Sequence, residues 1–298
     1  MILIADSGST KTDWVLVDVA GTRIVANVKS QGINPVHQAP DAIRHILEHE
    51  LITPLSFVKG PWAVSHIFFY GAGCSSQYAP RMEQLLAETL LPLAPGAMPL
   101  ASNPKPLKVE VHSDLFGAAR ALCGDGEGIA AILGTGANSG LFDGKTIVQN
   151  TPPLGYILGD EGSGAVLGRL FLNAIFKHPQ LAGERDAFLK ANKVDQATII
   201  NKVYREPLAN RYLASLSLYI HDHLENDILR KLVVDNFRNF FRSNIDPYGR
   251  KDLPVGFVGS MAEHYPAQLR EAAEAEGYQV GTVLQSPMEG LIAYHTKS

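Results

Sequence analysis

Short apolar runs separated by glycine turns open the chain. Residues 2–5 form one such run and residues 14–19 a second, and Ala20-Gly21-Thr22 turns into a third over 23–28. β-Branched residues bounded by glycine turns predict a strand at each. The apolar spacing then lengthens. Ile43, Ile46 and Leu47 line one face of a helix predicted over 41–51, with Pro40 as its start signal. A strand over 67–70, a helix over 82–91, a proline-rich loop over 92–106, a strand over 108–112 and a helix over 115–122 follow. The opening order then returns. A strand over 129–133 enters Gly134-Thr135-Gly136, a strand over 139–142 follows, and Asp143-Gly144 turns into another over 146–149. The halves share no residue-level repeat, so this is duplicated architecture and not a solenoid. The boundary falls near Gly124-Asp125-Gly126, between a domain over 1–124 and a more helical one over 125–298. The second half shows helical periodicity over 164–176, 209–224 and 228–241, then a strand over 254–258. A closing helix over 287–294 is expected to pack back on the first domain.

Composition narrows the class. A chain of 298 residues exceeds the usual single-core size, which agrees with two domains. A hydrophobic fraction of 46% and an aromatic fraction of 8% are those of a soluble globular α/β protein. The net charge of -4 offers no basic field for nucleic acid. Cys74 and Cys123 cannot make a disulfide framework, and reduced thiols suit a cytoplasmic location. The apolar run before Asp6 is too short for a signal peptide, and none approaches the roughly 20 residues that span a bilayer.

Two glycine turns carry the candidate chemistry. Asp6-Ser7-Gly8-Ser9-Thr10-Lys11-Thr12 is not a P-loop, because Lys11 follows Thr10 and not glycine. Gly134-Thr135-Gly136 is not a dinucleotide fingerprint, because Gly140 comes one residue late and a strand follows instead of a helix. Both turns present small residues, hydroxyls and backbone N–H groups that let phosphate oxygens approach closely. Either turn alone reads as an ordinary hairpin. At equivalent places in a duplicated architecture, the two together favour phosphate binding.

Four motifs in order then resemble a known family. Asp6 to Thr12 is similar to the first phosphate motif of the actin-like ATPase superfamily, and Leu133-Gly134-Thr135-Gly136-Ala137-Asn138 to the second. Gly256-Phe257-Val258-Gly259-Ser260-Met261-Ala262 resembles the adenosine motif. Leu158-Gly159-Asp160-Glu161-Gly162-Ser163-Gly164 resembles the acidic signature of N-acetylglucosamine kinases and BadF-type ATPases. The resemblance implies a two-domain actin-like ATPase with a ribonuclease H-like, duplicated βββαβαβα architecture and an ATP cleft between the domains. It implies an ATP-dependent carbohydrate kinase acting on N-acetylglucosamine or a related amino sugar. Asp6 would hold Mg²⁺, suited as a carboxylate to a hard cation. Gly8, Ser9, Thr10, Lys11 and Thr12 would form one side of the triphosphate site, and Gly134, Thr135 and Gly136 the other. Gly259 and Ser260 would face the nucleoside.

Asp114, in Asp114-Leu115-Phe116-Gly117-Ala118, matches the family's general base, although Ser113-Asp114 reads equally as a helix cap. Asn34, Gly155 and Asp160 match positions that hold the sugar; Asn34-Pro35 is also a common turn pair. The kinases usually carry Gly-Gly-Trp-Gly ahead of the acidic signature, whereas Pro152-Pro153-Leu154-Gly155 stands here, so an aromatic sugar platform is absent. The partners implied are a small-molecule sugar and, as an assembly open to the family, a homodimer. Two other classes share these motifs. One is an ATPase that activates an iron–sulfur dehydratase or reductase, and the other a non-catalytic sugar sensor. His45 and His49 lie one helical turn apart with no third ligand nearby, and His221-Asp222-His223 reads as a polar surface. Gly162-Ser163-Gly164 lacks nucleophile-elbow spacing.

Overall fold

The computed structural model describes residues 1–8, 10–20, 23–59, 62–94 and 107–297. It divides into two compact units, Met1–Gly124 with Pro287–Ser298, and Asp125–Ser286. Each is built on a five-stranded sheet. In the first the order is β3-β2-β1-β4-β5, with β1 Ile2–Ser7, β2 Lys11–Asp18, β3 Arg23–Gln31, β4 His66–Gly71 and β5 Lys108–Ser113. Strands β1 to β3 form an antiparallel meander, and β4 and β5 add in parallel beside β1. The second sheet repeats this plan as β10-β9-β6-β7-β8: β6 Gly128–Leu133, β7 Ala137–Phe142, β8 Ile147–Gln149, β9 Val255–Val258 and β10 Val280–Leu284. The architecture is a duplicated α/β fold.

Burial on both faces explains the unbroken apolar runs at the start of the chain. Leu3, Ala5, Trp14 and Leu16 enter one core of the first unit, while Ile2, Ile4, Val15 and Val17 enter another on the opposite face. That second face is covered by the helices Asp114–Cys123 and Met288–Thr296. Met288 and Leu291 pack on Ile2 and Ile4, so the closing helix completes the core of the first unit. A Cβ on Gly290 would stand 2.5 Å from the Ala121 carbonyl oxygen, which explains why glycine lies at this crossing. Arg120 Nη1 donates to the Tyr70 hydroxyl at 2.7 Å, and that hydroxyl lies 2.7 Å from His295 Nε2. Burial pushes the His295 imidazole down to about 3, so it is neutral and shares an uncharged hydrogen bond with the Tyr70 hydroxyl. Tyr70→Phe removes both bonds and should lower stability by about 1–3 kcal/mol. Denaturant unfolding measures this; an unchanged midpoint would show that the chain of bonds does not hold the helix.

The helix predicted over 41–51 runs further. Pro40–Ile46 continues through a wider turn, Leu47–Ile52, into Thr53–Ser56. Pro54 has no N–H for the i→i−4 ladder, and the Thr53 N–H reaches Glu48 instead. Leu47, Leu51 and Leu55 stay buried across the change. Most of the loop expected over 92–106 lies outside the described residues; its described start is a short 3₁₀ turn, Leu91–Leu93. Among the described residues, no helix is long and apolar enough to cross a membrane.

Candidate active site

In the first unit the parallel strands end in one row, with Ser7 paired to Gly71 and Gly71 to Ser113. Open α/β sheets bind ligands outside the carboxyl ends of their strands. This edge carries Asp6, the first glycine turn, the turn after Gly71, and Asp114. The glycine turn is tighter than its sequence suggests, since Ser7 ends β1 and Lys11 begins β2. Gly8 donates to the Lys11 carbonyl at 3.0 Å, and Gly32 to that of Thr10 at 3.1 Å. Gly8 and Thr10 are exposed, and a Cβ on Gly8 would find only the Lys11 carbonyl, 3.9 Å away. Ser9 lies outside the described residues. Lys11 is mostly exposed and ion-paired to Asp13 at 2.7 Å. Thr12 is buried, its hydroxyl 2.7 Å from Ser7 Oγ and donating to the Gln31 carbonyl at 3.1 Å. Asp6 is half-buried and stands directly opposite Asp13 across the hairpin. Lys11 offsets the Asp13 carboxylate, and Asp6 brings a second carboxylate to the same strand end.

Asp114 opens the helix Asp114–Cys123, but the capping bond belongs to Ser113, whose Oγ accepts from Phe116 N–H at 3.2 Å. Burial holds the Asp114 carboxyl above its ordinary value of 3.8, against the Leu115 N–H that donates to Oδ1 at 2.8 Å. Cys74 lies close enough to feel this charge. Burial chiefly, and Asp114 next, push its thiol up to about 12. Asn34 is brought to the same turn. Its Oδ1 accepts from Val36 N–H at 2.9 Å, and a Cβ on Gly73, which has a φ of +79°, would lie 2.3 Å from that oxygen. Ser7 Oγ accepts from Ile33 N–H at 3.0 Å, fixing this segment to the phosphate-motif hairpin. The Asn34 side-chain nitrogen makes no hydrogen bond among the described residues. Asn34, Cys74 and Asp114 thus gather at the edge that carries the first glycine turn.

The second unit repeats the arrangement. Ile132 pairs with Val258, so the turn Gly134-Thr135-Gly136 and the pair Gly259-Ser260 leave neighbouring strands together. Gly259 has a φ of +121°, and a Cβ there would stand 2.4 Å from the Leu133 carbonyl oxygen. A Cβ on Gly134 would meet nothing within 4 Å, so the turn's outer side is open to a ligand. The carbonyls of Gly134 and Thr135 accept from the N–H groups of Gly164 and Ala165, at 2.9 and 3.2 Å. These are the first two residues of the helix Gly164–Lys177. Those N–H groups therefore hold the turn itself.

Asp160 sits against this turn. It is buried, with a φ of +53°. Burial pushes its carboxyl up, the neighbouring Glu161 charge adds to this, and N–H groups of Ala137 and Gly155 hold it back. Gly155, in the left-handed region at +76°, is exposed, and Leu154 beside it is also left-handed and 63% exposed. Sequence reasoning missed Asn236. Only 1% exposed, it accepts from Gly162 N–H at 3.0 Å and donates to the Ser163 carbonyl at 3.2 Å, bracing the acidic signature. Its signal was a lone polar residue on the apolar face of Asp227–Phe240. His45 and His49 touch edge to face. Among the described residues, no group of three or more His, Cys, Asp or Glu could hold a metal.

No family model matches the chain, and no curated protein matches it. Solved structures do. A Porphyromonas gingivalis protein provisionally named N-acetylglucosamine kinase is 43% identical, covering 99% of both chains with a TM-score of 0.88. A Chromobacterium violaceum protein with the same provisional name is 19% identical over 99% of both chains, with a TM-score of 0.64. A ROK family glucokinase from Streptomyces griseus, in complex with glucose and AMPPNP, is 14% identical. It covers 98% of this chain and 97% of its own, with a TM-score of 0.53. These last two similarities concern the fold alone. The duplicated units, each a meander extended by two parallel strands, have the two-domain actin-like ATPase fold. Within that superfamily, the chain belongs to the N-acetylglucosamine kinase family.

Proposed function

We propose that the chain transfers the γ-phosphate of MgATP to a hydroxyl of N-acetylglucosamine or a related amino sugar, with Asp114 as general base. The family is one of carbohydrate kinases, which supports the reaction class. The observation that carries the reading is Asp114 itself. It stands at the carboxyl edge of the first sheet, relieved of capping by Ser113 and made more basic by burial. Phosphoryl transfer needs positioning, charge neutralisation and a carboxylate to take the acceptor's proton. Asp114 would accept that proton as the sugar oxygen bonds to phosphorus and the bond to ADP breaks. Asn34 would turn its amide nitrogen to the sugar, and Asp160 and Gly155 would hold it from the acidic loop.

Thr10, Thr135 and Gly136 would receive phosphate oxygens on backbone N–H groups, Gly8 and Gly134, whose own N–H groups donate to the Lys11 and Gly136 carbonyls, would leave room for the oxygens to approach, and Gly259 and Ser260 would face the nucleoside. Ser9 shares the first turn's role in this reading. Asp6 would hold Mg²⁺, which supplies charge neutralisation to the phosphates. Lys11 is exposed enough to swing from Asp13 to a phosphate, whereas Thr12, bonded inward, shapes the hairpin. We place the protein in the cytoplasm, where MgATP and reduced thiols coexist.

No observation favours the iron–sulfur activator. Cluster ligands are thiolates, and burial pushes the thiols of Cys74 and Cys123 up to about 12 and about 11. ADP release with MgATP, assayed across N-acetylglucosamine, glucosamine, glucose and N-acetylmuramic acid, tests the proposal. ADP release should depend on the acceptor and be fastest with an N-acetylated amino sugar. A rate unchanged by all four would overturn it.

A further inference from the structure

We propose that Asp160 is a positioning residue for the nucleotide as well as a ligand for the acceptor, because its carboxylate ties the acidic loop to the second phosphate turn. The proposal rests on assigning Gly134 to Gly136 to phosphate. Two backbone hydrogen bonds hold Asp160 in place. Its N–H donates to the Pro153 carbonyl at 2.8 Å, and its own carbonyl accepts from Ser163 N–H at 3.0 Å. Its carboxylate lies against Gly136, on the outgoing leg of the turn, and the backbone N–H groups of Ala137 and Gly155 are near enough to hold its pKa back. A left-handed aspartate persists only where its surroundings over-determine it.

The turn's grip is divided. Gly164 and Ala165 hold its carbonyls, while the Asp160 carboxylate closes on Gly136. A Cβ on Gly136 would stand 2.9 Å from Asp160 Oδ2, so turn and carboxylate lie nearly in contact. The carboxylate that meets the sugar then also sets where the phosphate-binding N–H groups lie. Sugar and nucleotide affinities are coupled through one side chain.

Calorimetric titration of the full chain with AMPPNP and Mg²⁺, without sugar, reads this apart from activity. Asp160→Asn should weaken nucleotide binding about tenfold, the size of one charge-assisted hydrogen bond, and should also raise the acceptor KM. Gly136→Ala perturbs the same contact from the other side and should do likewise. The double variant should be no weaker than the worse single one. Wild-type nucleotide affinity in Asp160→Asn, with only the acceptor KM raised, would overturn the proposal, as would multiplying defects in the double variant. If Asp160→Asn does not fold by circular dichroism, Gly136→Ala alone decides: wild-type nucleotide affinity overturns the proposal. Failure of the kinase reading looks different. The wild type would then bind nucleotide, and the variants would still differ, without any acceptor-dependent ADP.

Discussion

Asp114→Asn is expected to lower turnover by roughly 10²–10⁴ while nucleotide binding survives. Asparagine keeps the shape and can still accept from Leu115 N–H, so the helix start stays intact. The cap is unaffected, because it belongs to Ser113. What is lost is the group that takes the acceptor's proton. Burial also sets the pH dependence of the unmodified protein. The carboxyl is held above 3.8, so it gains a proton at a higher pH than an exposed aspartate would. Protonated, it accepts nothing. The rate should therefore fall on the acid side with a midpoint above 3.8, and Asp160, raised in the same direction, deepens that limb. Steady-state turnover across pH, with nucleotide titration alongside, checks both statements. Near-normal turnover in the variant would remove Asp114 from the chemistry.

Gly259→Ala should cost the fold about 3 kcal/mol or more and weaken nucleotide binding together. Two effects add. A φ of +121° suits glycine, and alanine there is strained before any contact is counted. Its Cβ would also arrive 2.4 Å from the Leu133 carbonyl, which is backbone and cannot swing aside. Leu133 leads directly into Gly134, so the shift passes into the second phosphate turn. Gly249 is the control. It also has a positive φ, of 65°, but a Cβ there meets nothing within 4 Å, so Gly249→Ala should cost about 1 kcal/mol by strain alone. Unfolding midpoints of the two variants, compared with AMPPNP affinity, test the difference. Equal losses of stability would mean that the contact with Leu133 is unimportant.

What could be read from residues alone was set by burial. The first strands are enclosed on both faces, so the runs around Leu3 and Leu16 show as continuous apolar sequence. The helices Ala182–Asn192 and Gln196–Tyr204 were missed because each fully buries one residue, Phe188 and Ile199. Strand β10 was missed for the same reason. It pairs only with β9 and none of its residues is fully buried. In the site, types and order were legible, while their local settings were not. The inward hydroxyl of Thr12 depends on pairing with Ser30 across the hairpin, which no spacing reveals. Ser113 and Asp114 were equivalent as caps until the bond from Phe116 separated them. The left-handed turn at Asp160, which sets its carboxylate against Gly136, leaves no trace in composition or period.

In the proposed reaction a sugar hydroxyl, and not water, receives the phosphoryl group. The direct measurement follows the reaction of MgATP with N-acetylglucosamine by ³¹P NMR, counting sugar phosphomonoester against ADP. One sugar phosphate is expected for each ADP, with both signals nearly abolished in Asp114→Asn. ADP accompanied by inorganic phosphate, with no sugar phosphate from any amino sugar, would contradict it.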